Sequence, residues 1–250
     1  MEKINEKRIK REKGKGDGKG DGNGKGDGEG GRKEDGKGLL GLLIAFDGID
    51  GCGKSSIAKL IRDYLKKQNY KVLLTHEPSE TTTGKKIKEL VRKKGSEKFS
   101  RQFWLTLFTQ DRLEHTKSII LPKLEEGFIV LVDRYYYSTL AYQLNENEWK
   151  NYLEKYRFVK PNIAFILDVD PKIGIERTAK RGLKKAIFER ENFLVKVRKK
   201  YLTFFKKARQ FDENIFLIDA NQPLKKVFSD VKKIIDDALE RFKQRNRQRS

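Results

Sequence analysis

The loop at residues 46–56, with the sequence FDGIDGCGKSS, constrains the fold of this chain more than any other stretch. Gly48 is followed by four residues and then by Gly53, Lys54 and Ser55, which is the pattern of a phosphate-binding loop. In such a loop backbone N–H groups surround a polyphosphate, the lysine reaches the β- and γ-phosphates, and the hydroxyl binds Mg²⁺. The spacing predicts a nucleoside triphosphate site and leaves the phosphate acceptor open. The predicted ATP phosphate-binding residues are Gly48, Ile49, Asp50, Gly51, Cys52, Gly53, Lys54, Ser55 and Ser56.

The apolar pattern on either side of this loop alternates between strands and helices. Residues 39–46, LLGLLIAF, form a continuous apolar run typical of a parallel strand that is buried on both faces. A helical pattern follows the loop, so strand, loop and helix occur in the order that this motif requires. The alternation predicts an α/β fold with five parallel strands and helices on both faces of the sheet. Predicted strands are 39–46, 71–78, 127–133, 162–170 and 214–220, and predicted helices are 54–68, 84–94, 100–124, 147–158, one that begins at Pro171, and 223–242.

The first 38 residues differ in composition from the rest of the chain. Residues 13–31, KGKGDGKGDGNGKGDGEGG, alternate glycine with charged or polar residues and contain no apolar side chain. Such a segment cannot bury enough surface to offset its ordering entropy. We therefore expect a disordered tail over residues 1–38 and one folded domain over residues 39–250.

The composition also bounds where the chain works and what it binds. No apolar run approaches the roughly 20 residues of a membrane span, and the single cysteine, Cys52, suits a reducing cytoplasm. The formal net charge is +21. A basic surface can bind nucleic acid, but it also fits a lysine-rich proteome or a site that gathers two phosphorylated ligands. The charge alone does not decide among these.

Polar residues that follow strands are the next candidates, because ligands of parallel sheets bind beyond the carboxyl ends of the strands. Asp133 and Arg134 follow the predicted strand 127–133. The carboxylate can hold Mg²⁺, through water, and the guanidinium can bridge donor and acceptor phosphates. A helix cap with a surface charge is the alternative explanation of this pair.

Phe108 and Arg112 lie four residues apart, and therefore on one face of the predicted helix 100–124. An aromatic ring and a guanidinium can together stack on and hydrogen-bond a planar base. From the pattern alone, a core phenylalanine beside a surface arginine is the more common explanation.

The order of these motifs resembles the thymidylate kinase family, nearest its archaeal-type sequences. The resemblance covers roughly residues 41–240 and rests on the phosphate-binding loop, EP at 77–78, LFTQDRLEH at 107–115, VDRYYYSTLAYQ at 132–143 and LDVDP at 167–171. It implies the fold of the P-loop nucleoside monophosphate kinases and the transfer of phosphate from ATP to dTMP with Mg²⁺.

The resemblance also implies roles for individual residues. Phe108 would stack on thymine, Arg112 would hydrogen-bond the base, and Tyr142 would press on the deoxyribose where a ribose would project its 2′-hydroxyl. Arg134 would contact the acceptor phosphate, and Asp50 would approach the acceptor's 3′-hydroxyl and the reacting phosphates. The base side of the pocket would be lined by Ser138, Thr139 and Gln143.

A lid is expected at about residues 176–192, because a kinase must exclude water from the transfer. In the family, one subclass places a catalytic arginine in the phosphate-binding loop, and another leaves glycine there and supplies the cation from the lid. Gly51 is similar to the second subclass. The catalytic residues implied are Lys54, Arg134, Asp50 and Arg181, and the lid candidates are Arg177, Arg181, Lys184 and Lys185.

Two departures from the family pattern stand near the expected acceptor site. The chain has THEPSET at 75–81 where TREPGGT is common, which places His76 and Glu80 there, and we assign His76 no catalytic role. Lys88 stands where the acceptor-phosphate clamp is usually arginine, so a point charge replaces a bidentate fork.

Three further expectations concern alternatives and partners. Another nucleoside monophosphate kinase, of dUMP, UMP or CMP type, shares the fold and reaction, whereas a GTPase would need an N-K-x-D motif that the sequence lacks. A basic nucleic-acid-associated ATPase is a competing idea that predicts DNA-stimulated hydrolysis. Family members are typically homodimers, and FWLTLF at 103–108 offers apolar surface for such an interface, although burial in the core would explain the same residues.

Overall fold

The computed structural model describes residues 40–93, 95, 98–180, 187–211 and 213–247. The predicted tail, residues 1–38, lies outside this part of the chain. Three of the four lid candidates, Arg181, Lys184 and Lys185, also lie outside it.

The described residues form one sheet of five parallel strands. The strands are β1 (Leu42–Asp47), β2 (Val72–His76), β3 (Ile129–Asp133), β4 (Ile163–Asp168) and β5 (Ile215–Asp219). Their order across the sheet is β2-β3-β1-β4-β5. Because β1 is apolar on both faces it can occupy the centre of the sheet, and all six of its residues are buried. The predicted fold class is confirmed.

Helices cover the sheet and connect its strands. Those of the described residues are α1 (Lys54–Lys67), α2 (Thr82–Arg92), α3 (Arg101–His115), α4 (Leu121–Glu125), α5 (Tyr136–Tyr142), α6 (Trp149–Tyr156), α7 (Pro171–Ala179), α8 (Ile187–Lys207) and α9 (Leu224–Arg247). Helix α1 packs against α9, β2 and β3, whereas α8 packs against α5, α7 and β4. None of the helices described is both long and apolar enough to cross a bilayer.

The predicted helix at 100–124 differs from the structure in one respect. Helix α3 ends at His115, a π-helical turn follows at Thr116–Ile120, and α4 contains Pro122. Proline has no N–H to donate and crowds the preceding turn, so the hydrogen-bond ladder must change near it. A wider π turn accommodates that change without ending the helical path.

The order of the strands decides where a ligand can bind. Strands β2 and β4 flank the β3-β1 pair, and the carboxyl ends of β1, β2 and β3 lie side by side, with Phe46 and His76 both in register with Asp133. Between β1 and β4, Phe46 stacks on Phe165 with ring centroids 5.4 Å apart, so the apolar core extends to this edge. The phosphate-binding loop begins directly above it.

Candidate active site

The phosphate-binding loop joins β1 to α1 at the carboxyl edge of the sheet. Gly48, Gly51 and Gly53 have φ angles of 141°, 81° and 98°, which residues with a side chain rarely adopt. Lys54 is buried, and its Nζ donates to the carbonyl oxygens of Gly48 (3.0 Å) and Ile49 (2.9 Å). A bound polyphosphate would replace these neutral acceptors with charged oxygens, which are stronger hydrogen-bond partners for an ammonium group.

Two oxygen-bearing side chains meet beside the loop. The hydroxyl of Ser55, on α1, donates a short hydrogen bond to Asp133 Oδ2 at the end of β3. A hydroxyl and a carboxylate are hard oxygen ligands, and Mg²⁺ is usually held by one or two such groups together with substrate phosphates and water. The pair therefore fits a magnesium ion. The described part of the chain contains no group of three or more His, Cys, Asp or Glu side chains that could hold a metal by itself.

An open cavity of about 410 Å³ lies over the loop. Its walls bring the loop together with the ends of β2 and β3 and with Thr178 of α7. The charged or titratable side chains in these walls are Asp50, Lys54, His76, Glu77, Asp133 and Arg134. His76, to which the sequence assigns no catalytic role, thus shares a cavity with the predicted phosphate-binding residues.

Arg134 reaches into this cavity from an unusual backbone position. Its φ angle is 72°, in the left-handed region that residues other than glycine rarely occupy. Its guanidinium pairs with Asp50 Oδ1 (2.5 Å), donates to Ser138 Oγ (3.1 Å), and lies 5.5 Å from the centroid of the Tyr142 ring. The structure therefore brings together four residues that the sequence analysis placed in one site.

Asp47, the last residue of β1, is a member of this site that the sequence analysis missed. It is fully buried beneath Arg134, and its carboxylate accepts hydrogen bonds from the Tyr135 N–H (2.8 Å), Ser138 Oγ (2.5 Å) and the Tyr201 hydroxyl (3.0 Å). Burial raises the pKa of Asp47 to about 6, against the lowering effect of the Ser138 hydrogen bond and the Arg134 charge. The available signal was an acid at the end of an otherwise apolar strand.

Arg112 points into the protein, where it is almost completely buried. Its Nε and Nη2 both donate to Glu77 Oε2, at 2.9 and 2.6 Å, and its Nη1 donates to Thr139 Oγ1 at 3.0 Å. Glu77 also contacts His115 Nδ1 at 3.3 Å. The guanidinium is therefore fixed in place by a carboxylate that the sequence analysis quoted only as part of a motif.

The remaining residues predicted for the acceptor base lie around Arg112 and Arg134. Phe108 is half-buried, with its ring tilted 43° to that of Trp104 at a centroid distance of 6.1 Å. Tyr142 is also half-buried and meets Phe193 of α8 edge to face. The side-chain oxygen of Gln143 is buried and makes no hydrogen bond to the described residues.

Lys88 lies on α2, apart from the cavity walls. Its Nζ pairs with Glu80 Oε1 at 2.5 Å, and His76 Nε2 lies 3.4 Å from the same oxygen. The two departures from the family pattern are thus in contact, with one carboxylate between two groups that can carry positive charge. Sequence spacing gave no indication of this pairing.

Arg177, the one lid candidate among the described residues, is bound to the loop that follows β5. Its Nη1 donates to the Ala220 carbonyl oxygen at 2.8 Å, and its Nη2 to that of Asn221 at 3.4 Å. Asp219 caps the same loop by accepting from the Asn221 N–H at 3.0 Å. This loop lacks a recognisable sequence motif, so its contact with Arg177 was not predictable from the sequence.

Comparison with known proteins decides the family. The family model described as thymidylate kinase matches residues 46–231, which is most of the chain. The chain belongs to the thymidylate kinase family. A protein named "Probable thymidylate kinase" from Archaeoglobus fulgidus is 39% identical over 209 residues, covering 82% of this chain and all of that protein.

Other relatives of the thymidylate kinase family agree with this match. A "Probable thymidylate kinase" from Staphylothermus marinus is 37% identical, covering 80% of this chain and 96% of its own length. A "Thymidylate kinase" from Thermosipho africanus is 34% identical, covering 80% of this chain and all of its own length. The predicted family and enzyme class are confirmed.

Proposed function

We propose that this chain transfers the γ-phosphoryl group of ATP to dTMP, giving ADP and dTDP. Within the thymidylate kinase family, the observation that carries the assignment to these residues is the shared cavity over the loop. Lys54, which would hold the donor phosphates, and Arg134, which would contact the acceptor phosphate, open on the same space. Such an arrangement suits direct transfer between two nucleotides, because catalysis of phosphoryl transfer consists mostly of positioning and charge stabilisation.

In the proposed reaction an oxygen of the dTMP phosphate attacks the γ-phosphorus as the bond to the β–γ bridging oxygen breaks. Lys54 would stabilise the negative charge on the β- and γ-phosphates, and Arg134 would lie between the two nucleotides. Asp50, which pairs with Arg134, would orient that guanidinium and approach the acceptor's 3′-hydroxyl. Mg²⁺, held by Ser55 and by Asp133 through water, would neutralise charge on the donor phosphates.

The acceptor base would occupy the space between α3 and α5. Phe108 would stack on thymine, since its ring is half-exposed, while Arg112 would hydrogen-bond the base from the fixed position that Glu77 gives it. Tyr142 would exclude a ribose 2′-hydroxyl. The residues proposed to line the base and hold the acceptor phosphate are Ser138, Thr139, Gln143 and Lys88.

The ATP base would lie near Arg177, whose guanidinium is presented beside the loop after β5. A planar guanidinium can stack on an aromatic base. The remaining lid candidates, Arg181, Lys184 and Lys185, would close over the phosphates, with Arg181 supplying the cation that Gly51 leaves out of the phosphate-binding loop.

We infer a homodimer with α3 in the interface. Phe103, Trp104 and Leu107 are partly exposed and do not pack against the hydrophobic core, whereas Leu105 does, so core burial explains only part of this apolar stretch. Phe99 and Phe103 stack with centroids 4.4 Å apart and extend the aromatic surface. Sedimentation equilibrium of the full chain measures the assembly state, and a monomer at assay concentration contradicts the inference.

A free buried thiol, Cys52, supports a reducing, cytoplasmic location.

The acceptor is tested by supplying dTMP, dUMP, ribo-TMP, dCMP and AMP separately with ATP and Mg²⁺ and measuring ADP. We expect dTMP to give the highest kcat/KM, and ATP hydrolysis without an acceptor to be negligible. A preference for AMP or dCMP would contradict the assignment.

Phe108→Ala should raise the KM for dTMP by about 10- to 100-fold, the value of one base–aromatic stack. Its effect on the KM for ATP should be small, and Leu113→Ala, on the exposed part of the same helix, is the matched control.

A further inference from the structure

The backbone at Arg134 is held on both sides by the end of β1. The Arg134 N–H donates to the Phe46 carbonyl oxygen at 2.9 Å, and the next N–H, that of Tyr135, donates to Asp47 Oδ2 at 2.8 Å. A left-handed residue with a side chain costs free energy and persists only where its surroundings hold it. These two hydrogen bonds fix the direction in which the Arg134 side chain leaves the backbone.

The other oxygen of Asp47 reaches the Arg134 side chain through one intermediate group. Arg134 Nη1 donates to Ser138 Oγ at 3.1 Å, and the Ser138 hydroxyl donates to Asp47 Oδ1 at 2.5 Å. Oδ1 also accepts from the Tyr201 hydroxyl at 3.0 Å. An ionised carboxylate can accept all of these hydrogen bonds. The buried Asp47 carboxylate therefore helps to hold both the backbone next to Arg134 and, through Ser138, its guanidinium.

We propose that Asp47 is a positioning residue for phosphoryl transfer, which holds Arg134 in its working orientation through the Tyr135 N–H and Ser138 and connects that orientation to α8 through Tyr201. The inference rests on the proposed role of Arg134. Asp47 is fully buried and does not line the cavity, whereas Arg134 does.

Tyr201 joins this arrangement to a third element of the fold. It lies on α8 (Ile187–Lys207), which packs against α5 and β4. Its hydroxyl contacts both Asp47 Oδ1 and Ser138 Oγ, the latter at 3.1 Å. The position of α8 is therefore coupled through Tyr201 to the two groups that orient Arg134.

The charges around Asp47 come from every element packed against it. Lys54 of α1 and Arg134 favour the ionised form, whereas Tyr137 of α5 and Tyr201 of α8 are neutral hydroxyl groups whose own pKa values are raised by burial. With a pKa of about 6, Asp47 is ionised at neutral pH and takes up a proton in mild acid. Protonation removes acceptor capacity and weakens the hold on Arg134.

The test compares wild type with Asp47→Asn, Ser138→Ala and Tyr201→Phe, each first checked by thermal unfolding. Asp47→Asn should lower kcat by about 10- to 100-fold, the usual cost of a misplaced catalytic group, while both KM values stay within about threefold. Tyr201→Phe should lower kcat by about 3- to 10-fold. The double variant Asp47→Asn/Ser138→Ala should be no slower than Asp47→Asn alone, because both changes act through one chain of hydrogen bonds.

A pH series separates positioning from a general structural role. The ratio of wild-type to Asp47→Asn kcat should fall towards one between about pH 8 and about pH 5, since wild type loses the carboxylate charge as well; substrate ionisation affects both enzymes alike. Tyr64→Phe is the matched control: it removes a tyrosine–carboxylate bond (2.7 Å, to Asp236) at the end of α1 remote from the loop and should leave kcat unchanged.

Three outcomes would overturn the proposal. These are an Asp47→Asn kcat within about twofold of wild type, a loss that is equal at every pH, or additive losses in the double variant. If Asp47→Asn fails to fold, unchanged kcat in both Ser138→Ala and Tyr201→Phe overturns it. Failure of wild type to phosphorylate dTMP contradicts the proposed function instead, and the ratios are then measured with the acceptor that wild type does use.

Discussion

At the residue scale, Glu80 and Lys88 form an ion pair where the family usually has a glycine and an arginine. Glu80 Oε1 pairs with the Lys88 ammonium group, which is the group proposed to bind the acceptor phosphate. The carboxylate is largely exposed, so the pair is worth little in stability. With the proposed role of Lys88, the effect of the pair would be on binding, since the acceptor phosphate would have to displace a like-charged carboxylate to reach Lys88.

We therefore expect Glu80→Gln to lower the KM for dTMP by about two- to fivefold, the value of one exposed ion pair. The effect should shrink at high salt, because exposed charges are screened. Lys88→Arg should leave kcat intact or tighten dTMP binding, and a collapse of activity would show that Lys88 is wrongly assigned. Glu89→Gln, which removes the exposed partner of Lys93 on the same helix, is the control. Initial rates against dTMP concentration provide the measurement.

Individual site residues differed in how visible they were in the sequence. The glycines, Lys54 and Ser55 were predictable because their function requires contiguous backbone geometry. Asp47 and Glu77 were not, because each acts through hydrogen bonds to residues far away in the chain, such as Tyr201 and Arg112. Spacing along one element carries no information about such partners.

At the element scale, α2 begins at a cap that also contacts the acceptor region. Thr81 is the N-cap, and its Oγ1 accepts from the Gly84 N–H at 3.1 Å while donating to Asp111 Oδ1 at 2.8 Å. Asp111 is buried and also accepts from the Ser79 N–H at 2.9 Å. The start of the helix that carries Lys88 is thus fixed to α3, the helix that carries Phe108.

Thr81→Ala should lower the free energy of unfolding by about 1 kcal/mol, the usual value of a lost N-cap. Because the cap also fixes α2 to α3, the same change should raise the KM for dTMP. Ser100→Ala removes the N-cap of α3, where Ser100 Oγ accepts from the Phe103 N–H at 3.1 Å, and should cost similar stability without that change in KM. Urea unfolding and steady-state kinetics together distinguish the two variants. Equal KM values in both would contradict the link.

Element boundaries followed the sequence to within a few residues, except near Pro122 and at two helices, α5 and the 21-residue α8, for which no bounds were predicted. Pro122 marks the place where the predicted single helix passes through a π turn, but proline alone does not say whether a helix ends, bends or widens. Helix α5 was not predicted as a helix, because its residues, YYSTLAY, combine aromatic and β-branched side chains with weak helical propensity. Its burial against α8 and α3 overrides that preference.

At the scale of the whole molecule, the buried Asp47 makes stability depend on pH. Its pKa is raised from 3.8 to about 6, so between these values the folded state holds more protons than the unfolded state. The free energy of unfolding therefore falls as pH rises through this window, and the contribution present in acid is lost above pH 6. At neutral pH the ionised form of Asp47 is thus kept at a cost in stability.

Relative to Asp47→Asn, wild type should lose about 2 kcal/mol of unfolding free energy between about pH 4 and about pH 7, since each pKa unit corresponds to about 1.4 kcal/mol and part of the loss already lies below pH 4. The difference between the two proteins cancels the titration of their other carboxyl groups. Urea unfolding at several pH values measures it. A wild-type advantage that grows with pH would mean that the carboxylate is stabilised, not strained, by burial.

The fold as a whole was the most predictable level. Five apolar runs separated by helical patterns specify a parallel sheet, and the strand that precedes the loop, apolar except for Asp47 at its end, lies at the centre of the sheet. The order in which β2 and β3 pair follows from the fold class that the motifs indicated. What the pattern could not specify is how α7 meets the loop, since that contact depends on backbone shape alone.

That contact has a consequence for how such enzymes can change. A Cβ built on Gly51 would lie 2.0 Å from the Gly174 carbonyl oxygen, and a Cβ on Gly174 would lie 2.6 Å from that of Asp50. An arginine at position 51 of this chain therefore has no room unless α7 withdraws. If the lid supplies the catalytic cation as proposed, a lineage that moves this group into the phosphate-binding loop would have to change the packing of α7 as well as residue 51.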